Sequence, residues 1–532
     1  MTSTNNPVPD CSTAAVAAAD ATAPLTNAQL RVLLGSVFII AACSLLYELL
    51  ISSLSTYLLG SSVVHYSLTI GLFLFFMGVG AWVASFVRTS LTAAFVAIEM
   101  AIGVVGGLSA VILFATYVWT ESYYPVMLIV IAVLSTLIGM EIPLLTRMVE
   151  KTQGLRKGIS EVLSFDYLGA LLASLLCPFV LLPYFGHLIA AMGTGLVNLL
   201  VALFVCWYFR ESLGKWRGPL LAGGLTALFG LLLFLLSGNS LQRFMQQGIY
   251  QDTVIHNEQS RYQNIVVTRW GDDVRLYLDG SLQFSSIDEY RYHELLVHAP
   301  AAFSAQLKHA LVIGGGDGLA VRELLRYQSM ESITLVELDP AITRLTKKLP
   351  ALDQLSQSSL KDSKVELVHQ DAWDWLAQPG QLFDLIIIDL PDPDTEATAR
   401  LYTSAFYKRI ARRLSGGGVM ITQATSPWFA SRAYWSIGET LEEVFDAVRP
   451  ASVYVPSFGP WGFFIAANHK LSKASEPPQS LKFLTPLELD NALTIPADFS
   501  TEDVEPNHIG SLPLLRYYAE GWDIINKGNA RP

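Results

Sequence analysis

Four strand-like runs of this chain end on a carboxylate. HALVIGGGDG carries Asp317 among Gly314, Gly315, Gly316 and Gly318; ITLVELD carries Glu337; VELVHQDA ends on Asp371-Ala372; LFDLIIIDL ends on Asp389. Glycines after a strand and before a helix let a ligand approach the backbone at the strand's carboxyl end, where open α/β sheets bind ligands. Many nucleotide folds share such a turn, so alone it says little. Glu337 follows about twenty residues later, where a carboxylate accepts hydrogen bonds from ribose hydroxyls. Asp371-Ala372 stands at the height of an adenine contact. Together these acids describe a nucleoside crevice; alternatively Glu337 and Asp371 merely cap the helices after them. Asp389-Leu390-Pro391-Asp392-Pro393 adds two acids three apart on a loop. They suit a ligand with ammonium groups, and one of them can accept a proton. The same residues are also good turn formers in their own right.

The elements that must position these acids can be read nearby. From His309 onward, apolar strands alternate with helical segments such as LAVRELLRY and PAITRLTKKL. Continuous apolar strands alternating with helices predict a Rossmann-like α/β domain whose parallel sheet is covered on both faces. Ahead of it, NIVVTRW, a Gly-Asp-Asp turn and RLYLDG predict a small β-domain built on hairpins.

The first half of the chain is of another kind. Of 532 residues, 52% are hydrophobic and 15% charged, with mean hydropathy +0.40. Soluble domains carry about 25% charged residues, so part of this chain belongs in lipid. A lipid-spanning helix needs roughly 20 apolar residues. Runs near 31–52, 63–87, 92–118, 125–147, 162–184, 187–209 and 218–237 predict seven spans in a cell (inner) membrane. Basic residues gather in three loops: Arg88; Arg147, Lys151, Arg156 and Lys157; Arg210, Lys215 and Arg217. The positive-inside rule makes those loops and the N-terminus cytoplasmic. Seven spans then leave the C-terminal half outside the cytoplasm, so either the count is off by one or that half faces outward. Glu48, Glu99, Glu141 and Asp166 interrupt the apolar runs; each is a candidate cation or proton site, or a group paired inside the bundle.

Net charge is −11, which suits a cationic ligand and argues against a nucleic-acid partner. The four cysteines, Cys11, Cys43, Cys177 and Cys206, all precede the second half and lack metal-type spacing. A zinc site, a disulfide framework and a cysteine nucleophile are therefore not expected in that half. The expected segments are a disordered tail 1–28, a helical bundle 29–240, the β-domain 250–303, the Rossmann-like domain 304–470 and a C-terminal extension 471–532.

Seven blocks in order carry a resemblance to the spermidine synthases: RYQNIVV, LYLDGSLQFSSIDEYRYHE, LVIGGGDG, VELDP, HQDAWDWL, FDLIIIDLPDP and LYTSAFY. The tail VEPNHIGSLPLLRYYAEGW resembles the membrane-fused bacterial branch of that family. The resemblance implies an S-adenosylmethionine-methyltransferase-type fold and aminopropyl transfer from decarboxylated S-adenosylmethionine to putrescine or a related polyamine. It implies this nucleoside as a co-substrate and no permanently bound cofactor or metal. Gln263, Glu337, Asp371 and Ala372 would hold the nucleoside, and Asp317 the aminopropyl ammonium. Tyr292 and His293 would contact the polyamine, Asp389 would take the proton, and Asp392 would hold an acceptor amine. Homo-oligomers are implied too, with no separate signal here. Leu319, Phe458 and the Asp-Thr-Glu after Pro393 depart from the family pattern. These departures leave the sulfonium half intact and the acceptor amine open. Competing readings are a methyltransferase on the same fold, which Asp317 disfavours, and a membrane transporter or sensor that binds without turnover, which Asp389 disfavours.

Overall fold

The computed structural model describes residues 25–526, apart from 60, 61, 89, 121, 239, 240, 242, 243, 245–247, 251, 474, 479 and 500–502. Most of the expected tail, with Cys11, lies outside the described residues. The chain divides into two compact units, one ending at Gln251 and the other starting at Asp252.

Unit one is helical. Its long helices are Asn27–Leu59, Ser62–Ala84, Leu91–Trp119, Tyr123–Gln153, Leu155–Leu176, Leu182–Tyr208 and Arg217–Leu236. Among the described residues, six helical stretches are long and apolar enough to cross a membrane, and one of them, Arg156–Tyr208, has 53 residues. That stretch contains two of the seven expected runs. Gly186, at φ 68° and ψ 176°, breaks it. Before the break, Gly169 packs on Phe38 and Ala41; after it, His187 meets Ser53, and Gly195 lies against Gly103 and Gly107. Large apolar side chains such as Leu74, Phe75, Leu171, Phe179 and Leu236 are exposed, so the bundle presents apolar surface outward. Within it, Asn198 Nδ2 donates to the backbone oxygen of Glu99 at 2.8 Å, and Ser44 Oγ donates to Glu141 at 3.2 Å.

Unit two holds two sheets. Strands β1 (Thr253–Gln259), β2 (Asn264–Trp270), β3 (Asp273–Leu278) and β4 (Ser281–Ser285) form an antiparallel sheet in chain order. The larger sheet contains β5 (His309–Gly314), β6 (Ser332–Glu337), β7 (Val365–His369), β8 (Phe383–Asp389), β9 (Leu414–Gln423), β10 (Ala447–Val455) and β11 (Gly459–Ala467). Its order is β10-β11-β9-β8-β5-β6-β7. The sheet is mixed rather than purely parallel, because β11 runs against both its neighbours. Three residues join β10 to β11, far fewer than the dozen or so a parallel crossover needs.

Alternate residues of the central strands feed two cores. Val312, Leu335, Leu385, Ile387 and Ile421 pack with Leu295 and Leu296 of helix Glu289–Ala301. Ile313, Val336, Ile386, Ile388 and Met420 pack on the other side with Phe406, Ile410 and Tyr434. Burial on both faces explains why these strands read as unbroken apolar runs. From β5 the chain builds outward to β6 and β7, then returns to β8 on the other flank. The β5–β8 boundary is thus the switch point where such sheets open a ligand crevice.

Small residues set a close helix crossing in the bundle. A Cβ on Gly139 would lie 2.1 Å from the backbone oxygen of Met77, and one on Gly80 would lie 2.0 Å from that of Thr136. Helices that approach this closely tolerate only small residues at the contact. Gly139→Leu is expected to force them apart, lowering the Tm of the detergent-purified protein or causing aggregation on size exclusion. A monodisperse variant with wild-type Tm would show that the crossing relaxes freely.

Candidate active site

The glycine turn exists because there is no room for side chains there. A Cβ on Gly314 would sit 2.0 Å from the backbone oxygen of Asp389, and one on Gly316 would sit 2.8 Å from the Glu337 carboxylate. Gly314 also takes φ 78°, a region that favours glycine. Gly314 pairs with Asp389 across β5 and β8, and Gly315 N donates to the Asp389 carbonyl at 3.1 Å. Gly318, at φ 75°, precedes helix Leu319–Leu324. Leu319 is buried with Ile265, Val267 and Leu276 of the smaller sheet, so this family departure is a packing residue. Phe458, another departure, lies against Trp461 with ring centroids 5.2 Å apart.

The strand ends therefore gather Asp317, Glu337 and Asp389 around one turn. Asp317 Oδ1 accepts from Leu319 N at 2.9 Å. Glu337 accepts from Asp339 N at 2.9 Å, and Asp339, not Glu337, caps the next helix through Ala341 N. Gln263 reaches over from the smaller sheet, its Nε2 3.2 Å from Asp339 Oδ2. Asp371 does cap its helix, accepting from Trp373 N at 2.8 Å, and its other oxygen pairs with Arg400. Ala372 is the first, buried residue of that helix.

Tyr292 OH donates to Asp389 Oδ1 at 2.7 Å, while Asp389 Oδ2 faces Gly315, whose Cβ would lie 3.2 Å away. One oxygen is thus fixed and the other looks toward the turn. His293 is buried beside Tyr292, and its Nδ1 contacts Glu289 Oε2 at 2.8 Å. Arg322 grips the same Glu289 at 2.9 and 3.0 Å. Asp392, three residues past Asp389, accepts from Gln423, Thr425 and Tyr518. Tyr402 steadies the loop by donating to the Pro391 carbonyl at 2.9 Å.

Charge in this cleft is unbalanced. Among the described residues no Lys or Arg pairs with Asp317, Glu337, Asp389 or Asp392. Burial pushes Asp389 up to about 6, helped by Asp317 and opposed by His293 and the Tyr292 hydrogen bond. Asp392 is also pushed by burial up to about 6, against its three donors. Burial takes Glu337 to about 7 and raises Asp317 as well. His293 moves the other way from what burial alone would do: the hydrogen bond and charge of Glu289 lift it to about 9. An imidazolium here is the cleft's nearest positive charge.

The sequence pointed to Gln263, Tyr292, His293, Asp317, Glu337, Asp371, Ala372, Asp389 and Asp392, and all but Asp371 and Ala372 connect through hydrogen bonds or charge around the turn. It missed Asp339, Gln423, Thr425, Tyr518 and the Glu289–Arg322 pair. The i, i+4 spacing of Glu289 and His293 on one helix was a legible signal for part of this.

Acids gathered at the switch point of a Rossmann-like sheet define a candidate ligand-binding cleft. The Spermine/spermidine synthase domain family matches residues 289–476. A polyamine aminopropyltransferase of Leptospira interrogans is 41% identical over 490 residues, covering 92% of this chain and 98% of its own. Polyamine aminopropyltransferase 1 of Streptomyces coelicolor is 41% identical, covering 92% and 94%. A crystal structure of spermidine synthase with the transition-state analogue AdoDATO covers 46% of this chain and 85% of its own at 26% identity, with a TM-score of 0.43. The chain belongs to the polyamine aminopropyltransferase family.

The raised carboxylates have a consequence for stability. A raised folded-state acid pKa stabilises fully below the unfolded value, near 4, and that stability is lost as pH rises through the folded value. For Asp389 and Asp392 near 6 and Glu337 near 7, the loss falls between about pH 4 and 7. The Tm of the ligand-free protein is expected to decline across that window, and the Glu337→Gln, Asp389→Asn double variant to decline less. Thermal scans at fixed ionic strength check this; equal slopes would contradict the assigned burial.

Proposed function

We propose that the protein transfers the aminopropyl group of decarboxylated S-adenosylmethionine to putrescine, giving spermidine and methylthioadenosine. The observation that carries this reading is the cleft with four half-buried carboxylates and, among the described residues, no Lys or Arg partner, at the switch point of the sheet. Desolvated ammonium and sulfonium groups need paired charges, and such a cleft supplies them.

In the reaction the acceptor's ammonium first gives up a proton, because a protonated nitrogen has no lone pair. Asp389 takes that proton on the oxygen facing Gly315, while Tyr292 fixes the other oxygen. A base near 6 is ionised at neutral pH and still suited to proton transfer. The free amine forms a bond to the propyl carbon as the carbon–sulfur bond breaks. The bonding pair goes to sulfur, which leaves as a neutral thioether. One proton is released overall, passing from Asp389 to solvent. Holding nitrogen and carbon in line contributes much of the remaining acceleration.

Glu337, Gln263 and the Asp371-Ala372 pair would hold the nucleoside, with Asp317 on the aminopropyl ammonium. Intact S-adenosylmethionine carries a carboxylate that Asp317 repels, so the decarboxylated form is selected. Asp392 would hold the acceptor's far ammonium. We assign His293 a modified part: as an imidazolium tied to Glu289, it orients Asp317 and Asp389 and does not bind a cationic amine itself. The apolar helices and their outward apolar surface support a multi-pass anchor in the cell membrane.

Purified protein incubated with each sulfonium donor and a panel of diamines tests the reading directly. Aminopropylated putrescine is the expected product; methylated product, or binding without product, would overturn it, and preference for another amine would reassign the acceptor. Asp389→Asn is expected to lower kcat by about 10²–10⁴ and to leave methylthioadenosine binding nearly intact. Comparable loss of both would make its role structural. The acid limb of kcat/KM is expected near pH 6, where Asp389 gains a proton and stops acting as a base.

A further inference from the structure

Asp392 is held from separate stretches of chain. Gln423 Nε2 donates to its Oδ1 at 3.3 Å, Thr425 Oγ1 to Oδ2 at 3.2 Å, and Tyr518 OH to Oδ2 at 3.0 Å. Gln423 and Thr425 sit at the end of β9. Tyr518 comes from helix Pro513–Asn526, beyond residue 476 where the family match stops.

That helix is firmly seated. Leu514 and Tyr517 are buried, and a Cβ on Gly521 would lie 2.7 Å from both Ala430 Cα and the Phe429 carbonyl oxygen. The Trp522 ring meets that of Phe429 at 5.6 Å, and Arg432 bridges to Glu520 at 2.8 Å. Just upstream, the buried Asn507 donates to the Ala399 carbonyl at 2.9 Å and accepts from Ser404 N at 3.1 Å. The extension is therefore tied to the two helices that follow the Asp392 loop.

We propose that Tyr518 is a positioning residue for the acceptor subsite, by which the C-terminal helix aims the Asp392 carboxylate at the acceptor's far ammonium. This rests on the role given to Asp392 above. All three donors are neutral, so they fix the plane of the carboxylate without cancelling its charge. Hydrogen bonds to an ionised group are the strong ones, and losing a donor frees the carboxylate to rotate. Thr425 holds φ 56°, rare for a β-branched residue, which marks this corner as one where packing overrides local preference. A diamine then meets two fixed anions, Asp389 at the reacting nitrogen and Asp392 at the other end.

Steady-state kinetics of full-length Tyr518→Phe, which removes one oxygen, test this with putrescine and donor varied separately. Acceptor KM is expected to rise about tenfold with donor KM and Tm unchanged. In an Asp392→Asn background the same substitution is expected to add little, since its target is already neutral. An unchanged acceptor KM, a parallel rise in both KM values, or a full additional loss in the Asp392→Asn background would each overturn the proposal. If Tyr518→Phe fails to fold, Tyr518→Leu, which also lacks the donor, takes its place with the same outcomes read. A wild-type chain without aminopropyl transfer would sink the reading of function instead. Calorimetric titration of putrescine into wild type and variant would then decide Tyr518, with equal affinities counting against it.

Discussion

Everything in the second unit turns on negative charge that the fold declines to neutralise. Asp317, Glu337, Asp389 and Asp392 stand at or just past strand ends with hydrogen-bond donors around them and, among the described residues, no Lys or Arg paired to them. Burying acids with only the His293 imidazolium beside Asp317 and Asp389 to offset them is costly, and the cost appears as raised proton affinity throughout the cleft. Cationic ligands remove that cost on binding. The same arrangement that weakens the empty protein at neutral pH would, on the proposed function, draw in amines and a sulfonium.

The surrounding structure keeps this imbalance local. Behind the cleft, charges are paired tightly: Glu289 with His293 and Arg322, and Glu323 with Arg322, Arg326 and His298. Glu323 is held down at about 2, mainly by those partners overcoming its burial. The contrast between this satisfied network and the bare acids one layer away separates scaffold from site. The glycine turn matters for the same reason. It brings backbone, and therefore ligand, to within contact of both Glu337 and Asp389 where any side chain would stand in the way.

Much of this was legible in the sequence, and the rest was not for definable reasons. Continuous apolar runs ending in acids identified β5, β6 and β8, because burial on both faces leaves no alternation to confuse the pattern, whereas β7 (VELVH), at the sheet edge, is only half-buried. Asp371 was rightly weighed as a helix cap, whereas Glu337 yields that role to Asp339, two residues on. The reversed β11 was missed because strand direction follows from the length of a connection, not from strand composition. In the bundle, the break at Gly186 was hidden inside uniformly apolar sequence. Contacts to Asp392 from Gln423, Thr425 and Tyr518 span 31, 33 and 126 residues, and no local pattern encodes such distances.

The proposed selection of a decarboxylated nucleoside is the point at which this electrostatic design meets function most directly. Isothermal titration of the protein with decarboxylated and with intact S-adenosylmethionine, repeated on Asp317→Asn, measures it. A cleft built from uncompensated acids should bind the decarboxylated donor far more tightly, and the substitution should shrink that difference chiefly by weakening the decarboxylated donor. Equal affinities in the wild type, or a preference untouched by Asp317→Asn, would contradict it.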